Sequence, residues 1–134
     1  MAYKFQVTFD CADPAALARW WADALGYVVQ PPPEGYADWP SFAREMGIPE
    51  SEFDSRSAAI DPEGAGPRLF FQKVPEPKAV KNRVHLDVNV GRDKVEAEVE
   101  RLVANGATVV ERVDQGFERW VVLSDPEGNE LCLQ

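Results

Sequence analysis

Histidine occurs once in these 134 residues and cysteine only twice. Any imidazole chemistry therefore has a single address, His85. Two cysteines, Cys11 and Cys132, do not make a disulfide framework, and a reducing, cytoplasmic setting is expected. Basic residues are outnumbered, 14 Lys and Arg against 23 Asp and Glu, for a formal charge of −9 and a pI near 4.6. A surface of that sign repels nucleic-acid phosphates and anionic lipid, so neither is an expected partner. No apolar run approaches the roughly 20 residues that span a bilayer, and the N-terminus leads into a strand without a signal-peptide pattern. What is present is ordinary globular chemistry. The chain is 45% hydrophobic and 28% charged, enough for one domain, 1–134, with a substantial core.

The lone histidine lies in Arg83-Val84-His85-Leu86-Asp87-Val88-Asn89-Val90, where apolar and polar residues alternate. That period predicts a strand with Leu86, Val88 and Val90 on the core face and His85, Asp87 and Asn89 on the other. Gln6-Val7-Thr8-Phe9-Asp10-Cys11 has the same shape, and an offset of 79 residues lays Gln6 on His85, Thr8 on Asp87 and Asp10 on Asn89.

The repeat continues along the chain. Asp13-Pro14 predicts a helix start, Asp capping free N–H groups and Pro fitting the first turn, and Gly26 predicts its left-handed stop. Leu17, Trp20, Trp21, Ala24 and Leu25 share a face of that helix and are read as core. In the second half Asp93 to Asn105 predicts the matching helix. Val95, Val99, Leu102 and Val103 form its apolar face, Asp93 with Glu96 its capping box and Gly106 its end. Strands are predicted at 27–29, 57–60, 69–74, 108–113, 119–123 and 130–133, and each half carries its own Asp-Pro-Glu-Gly turn, at Asp61 and Asp125. Gly26 to Asp61 is 35 residues but Gly106 to Asp125 only 19, so module one (1–75) holds a Pro-rich insert, 30–56, that module two (83–134) lacks. Tyr36, Trp39, Phe42, Met46 and Phe53 give the insert apolar mass, and it is read as an ordered flap with a short helix from Ser41 to Met46.

Two strand-helix-three-strand halves with paired Asp-Pro-Glu-Gly turns resemble the vicinal oxygen chelate superfamily of glyoxalase I, bleomycin-resistance proteins and extradiol dioxygenases. Asp13-Pro14 through Trp20-Trp21 to Gly26-Tyr27, Val84-His85-Leu86-Asp87 and Asp125 to Glu130 are similar to its small bacterial glyoxalase-like members. The resemblance implies an α+β fold: two βαβββ modules in a pseudo-twofold arrangement forming a cupped mixed sheet. It also implies a homodimer. It puts metal-ligand positions at Gln6 and His85. The residue four after the turn glycine, where working sites carry glutamate, is Cys132, while Glu130 lies two positions earlier on the same face.

Two functions follow from these residues. In one, the cup is a metal-free binding site for a small organic ligand, lined by Gln6, Thr8, Gln72, His85, Asp87, Trp120, Glu130 and Cys132, with Trp39 and Phe42 from the flap. In the other, Gln6, His85 and Glu130 hold a divalent ion (Zn, Ni, Mn or Fe), with Cys132 an alternative donor, for lyase, isomerase or dioxygenase chemistry. Asp87 is read first as a hydrogen-bonding residue within the sheet, with orienting the His85 ring or acting as a base as its functional alternatives. Cys132 is read as a small buried residue rather than a nucleophile, and Asp125 as a turn residue.

Overall fold

The computed structural model describes all of residues 1–134. The chain divides into two compact units, Met1–Pro77 and Lys78–Gln134. In the first, strand β1 (Val7–Cys11) leads into helix α1 (Pro14–Leu25). Strand β2 (Val28–Val29), helix α2 (Trp39–Glu45), a 3-10 turn at Glu50–Glu52 and strands β3 (Arg56–Ile60) and β4 (Leu69–Lys73) follow. In the second, β5 (Leu86–Val88), α3 (Val95–Ala104), β6 (Thr108–Asp114), β7 (Arg119–Ser124) and β8 (Glu130–Leu133) follow the same plan.

The sheet orders are β1-β4-β3-β2 and β5-β8-β7-β6, so the repeat read from the sequence is a repeat of topology. In each unit the first strand pairs in parallel with the last, and the other pairings are antiparallel. A parallel partner requires a crossover, and the helix provides it. The fold is α+β, as expected, with two βαβββ modules.

Burial explains why α1 forms where it does. Asp13 accepts the Ala16 N–H at 3.1 Å, and Gly26 takes φ 70°, a conformation that disfavours any residue with a Cβ. Between those caps Leu17, Ala18, Trp20 and Trp21 are buried against the sheet. The Trp21 ring lies 4.9 Å from Phe9, which stacks at 5.1 Å on Phe71. Removing each such side chain from water contributes roughly 1.5–3 kcal/mol. The paired tryptophans are therefore core, as their spacing indicated. The inward parity leaves Gln6, Thr8 and Asp10 on the face of the sheet away from α1, level with Arg68, Phe70 and Gln72.

Three expectations need correction. The Asp93–Glu96 capping box does not form: Lys94 is the N-cap, without a side-chain cap bond. A turn closed by Lys94 N–H to Gly91 O precedes the helix, and Glu96 reaches Arg112 at 2.6 Å instead. Val103 is exposed, because Val99 and Leu102 alone complete the buried contact of α3. The His85 strand is shorter than its alternation suggests. Only Leu86–Val88 pairs with β8, which itself begins at Glu130, so His85 sits just outside the ladder.

The insert is ordered by its own aromatic residues. Asp38 accepts the Ser41 N–H at 2.7 Å and starts α2 two residues earlier than the sequence pattern suggests. Tyr36 and Trp39 meet the Phe42 ring edge-on at 5.1 and 5.7 Å, and the Trp39 indole N–H donates to Gln30 O at 2.9 Å. No helix of the protein is long and apolar enough to cross a membrane.

Candidate functional site

Each unit carries a cavity on its own sheet. In the second unit, register puts Asp87 beside Cys132 and Val122 beside Cys132 from the other side. Strand alternation then carries His85, Asn89, Trp120, Glu130 and Gln134 to the same face. These side chains line a cavity of about 630 Å³, together with Lys81, Arg92 and the β6–β7 hairpin. Trp120 and Glu130 therefore share the face of His85.

The His85 ring is held by its neighbours. Its Nδ1 lies 3.0 Å from an Asp87 carboxylate oxygen and 3.9 Å from Cys132 Sγ. A carboxylate at Nδ1 selects the tautomer protonated there and leaves Nε2 as the basic nitrogen. Donor atoms of His85, Asp87 and Cys132 all lie within 4.8 Å of one another. Burial pushes the Cys132 thiol up to about 11, and the nearby Asp87 charge adds to the shift. The side chain is buried, and near neutral pH the group is a thiol.

Glu130 is already engaged. Both of its oxygens take the Lys81 ammonium, at 2.9 and 3.0 Å, and one also accepts the Asn82 backbone N–H. The Lys81 hydrogen bond is the main reason its carboxyl sits below the ordinary range. Gln6, in the first unit, is engaged in a similar way: its side-chain oxygen accepts from Arg68 Nη1 at 3.0 Å.

The first unit's cavity, about 490 Å³, opens where the insert meets β3 and β4. Trp39 and Phe42 line it, joined by Ile48, Phe53, Ala58 and Phe70 and not by the His85 set, which lines the other cavity. Arg19, Arg56, Arg68 and Glu52 supply its charge. Gln6, Thr8 and Gln72 line neither cavity. Gln72 donates to Asp10 at 2.7 Å, and Thr8 sits 3.5 Å from the Gln6 amide. A search of the sequence for carboxylate ligands misses Arg68, although the Arg68-Phe70-Gln72 alternation is visible in it.

Asp125 is a turn residue. Buried at 3% exposure, it accepts from the backbone N–H groups of Glu127 and Asn129 and from the Asn129 amide. Asp61 does the same in the first unit for Glu63, Ala65 and Gly66.

A sequence family described as Glyoxalase-like domain matches residues 6–134. No curated protein matches the chain at a significant level. Among solved structures, the chain is similar to a possible glyoxalase from Bacillus cereus, at 13% identity and TM-score 0.66, covering 100% of this chain and 99% of that one. It is also similar to a mutant of the fosfomycin resistance protein FosX from Listeria monocytogenes, complexed with Mn(II) and 1S,2S-dihydroxypropylphosphonic acid. That match has 11% identity and TM-score 0.68, covering 100% and 90%. A glyoxalase/bleomycin resistance/dioxygenase family enzyme from Burkholderia phytofirmans PsJN matches at 16% identity and TM-score 0.64, covering 96% and 94%. At these identities the likeness is one of fold.

Proposed function

The chain belongs to the glyoxalase-like domain family of the vicinal oxygen chelate superfamily, and from that premise we propose that it binds a small organic ligand without a resident metal. One observation carries this reading. Of the metal-binding set Gln6, His85 and Glu130, two side chains already carry a cation, Arg68 on Gln6 and Lys81 on Glu130. A divalent ion on either oxygen would meet a positive charge at hydrogen-bond range of the same atom, and like charges that close repel. The Gln6-His85-Glu130 set does not fit the metal.

The cavities fit the alternative. Volumes of about 490 and 630 Å³ lie in the range that small organic molecules occupy. The first is lined mainly by apolar and aromatic side chains with a few polar anchors, the lining such ligands need.

One observation favours a second reading. His85, Asp87 and Cys132 offer nitrogen, oxygen and sulfur donors within 4.8 Å, a set suited to zinc once the thiol is deprotonated. In that reading the second unit is a metal centre of glyoxalase type, with donors shifted from the family pattern.

Elemental analysis of protein purified without chelator, followed by titration with Zn, Ni, Mn and Fe, separates the two. Near-stoichiometric metal that disappears in His85→Ala overturns the metal-free reading. Absence of metal, with thermal stabilisation by members of a small-molecule panel, supports it.

A further inference from the structure

Resting on the reading that the first unit's cavity holds an organic ligand, we infer that this ligand is an anion, a carboxylate on a flat apolar body, and that Arg68 receives its charge.

Arg68 is a pre-positioned cation. Its Nε donates to the Gln30 side-chain oxygen at 2.8 Å and its Nη1 to the Gln6 side-chain oxygen at 3.0 Å. Both acceptors are neutral amides, which orient the guanidinium without cancelling its charge. The Phe70 ring lies 5.1 Å from its central carbon and covers one face. Two of the five N–H groups are used, which leaves both hydrogens on Nη2 and one on Nη1. Those remaining donors suit a carboxylate, and holding the guanidinium in place lowers the ordering cost of binding.

The surroundings agree. Arg56 faces the same side of the sheet as Phe70, since Arg56 pairs with Gln72 and Ala58 with Phe70. With Arg19 the cavity lining holds three guanidinium groups against one carboxylate, Glu52. The chain as a whole has a formal charge of −9, so this excess runs against the composition. Trp39, Phe42 and Phe53 bring flat rings to the same lining, where a planar ligand body gains contact area.

The test uses the full chain and two probes of one shape, 2-naphthoate and 2-naphthalenemethanol, with calorimetry and tryptophan fluorescence as readouts. The wild type should prefer the carboxylate by about tenfold or more at low salt, the scale of one charge-assisted pair. Arg68→Gln should bring the two probes to similar affinity while the alcohol's dissociation constant stays put. Gln30→Ala keeps the charge but loosens its orientation, and should reduce the preference part way. It also serves should Arg68→Gln fail to fold. Equal affinities in the wild type, or a preference that survives Arg68→Gln, would overturn the anion assignment and leave the organic-ligand reading standing. No binding of either probe at millimolar concentration would sink both.

Discussion

Lys81 sets its ammonium 2.9 and 3.0 Å from the two carboxylate oxygens of Glu130, across 49 residues of sequence. Glu130 is the carboxylate the sequence offers for a metal, and the structure gives it a lysine. Protein purified without chelator should therefore carry well below one equivalent of Zn, Ni, Mn or Fe by elemental analysis. Lys81→Ala should raise uptake relative to wild type, because it removes the competing cation and leaves the carboxylate free.

The same pair predicts a pH dependence. The Glu130 carboxyl is lowered from its ordinary value of 4.5, chiefly by the Lys81 hydrogen bond. A depressed folded-state value contributes stability that is present above the unfolded value and lost as pH falls through the folded one. Urea midpoints between pH 6 and 3 should fall more steeply for wild type than for Lys81→Ala. Parallel curves would show the pair to be idle.

Cys132 should behave as a protected thiol. With its value pushed from 9.0 up to about 11, reaction with a disulfide reagent at pH 8 should be much slower than for free cysteine. In Cys11→Ser, which isolates Cys132, the rate should climb toward pH 11. The sign for stability is opposite to that of Glu130: the thiol's contribution is complete below about 9 and lost as pH rises through about 11. A fast reaction at pH 8 in native protein would contradict the buried assignment.

The two Asp-Pro-Glu-Gly turns should differ in their tolerance. Asp125→Ala strands three N–H donors in a buried setting and should cost about 2–3 kcal/mol in denaturant melts. Asp61→Ala removes a similar set of bonds from a more exposed turn, where water replaces the carboxylate, and should cost less. Equal losses would mean that turn geometry, not burial, sets the value.

Phe42→Ala should loosen the insert without unfolding the domain. It deletes the ring that Tyr36 and Trp39 both meet, while the Trp21 and Phe71 core is untouched. Hydrogen exchange should speed up across 36–53 alone, and the fall in melting temperature should be small.

The modules were legible because their signals are local. Caps at Asp13 and Gly26, the Leu17-Trp20-Trp21 stripe and the alternation around His85 each act within a few residues, so propensity and period suffice. Where local signals failed, a longer-range contact had won, as when Arg112 drew Glu96 away from the α3 cap. What the sequence by itself determined is the repeated βαβββ plan and the alternation of side chains within each strand. Only the tertiary structure decided what those side chains are doing. Gln6 meets Arg68 across 62 residues, Gln30 meets Arg68 across 38, and Glu130 meets Lys81 across 49. Parity names a face, but which charge ends beside which depends on strand order and loop path. Those are properties of the folded chain, and no window of sequence contains them.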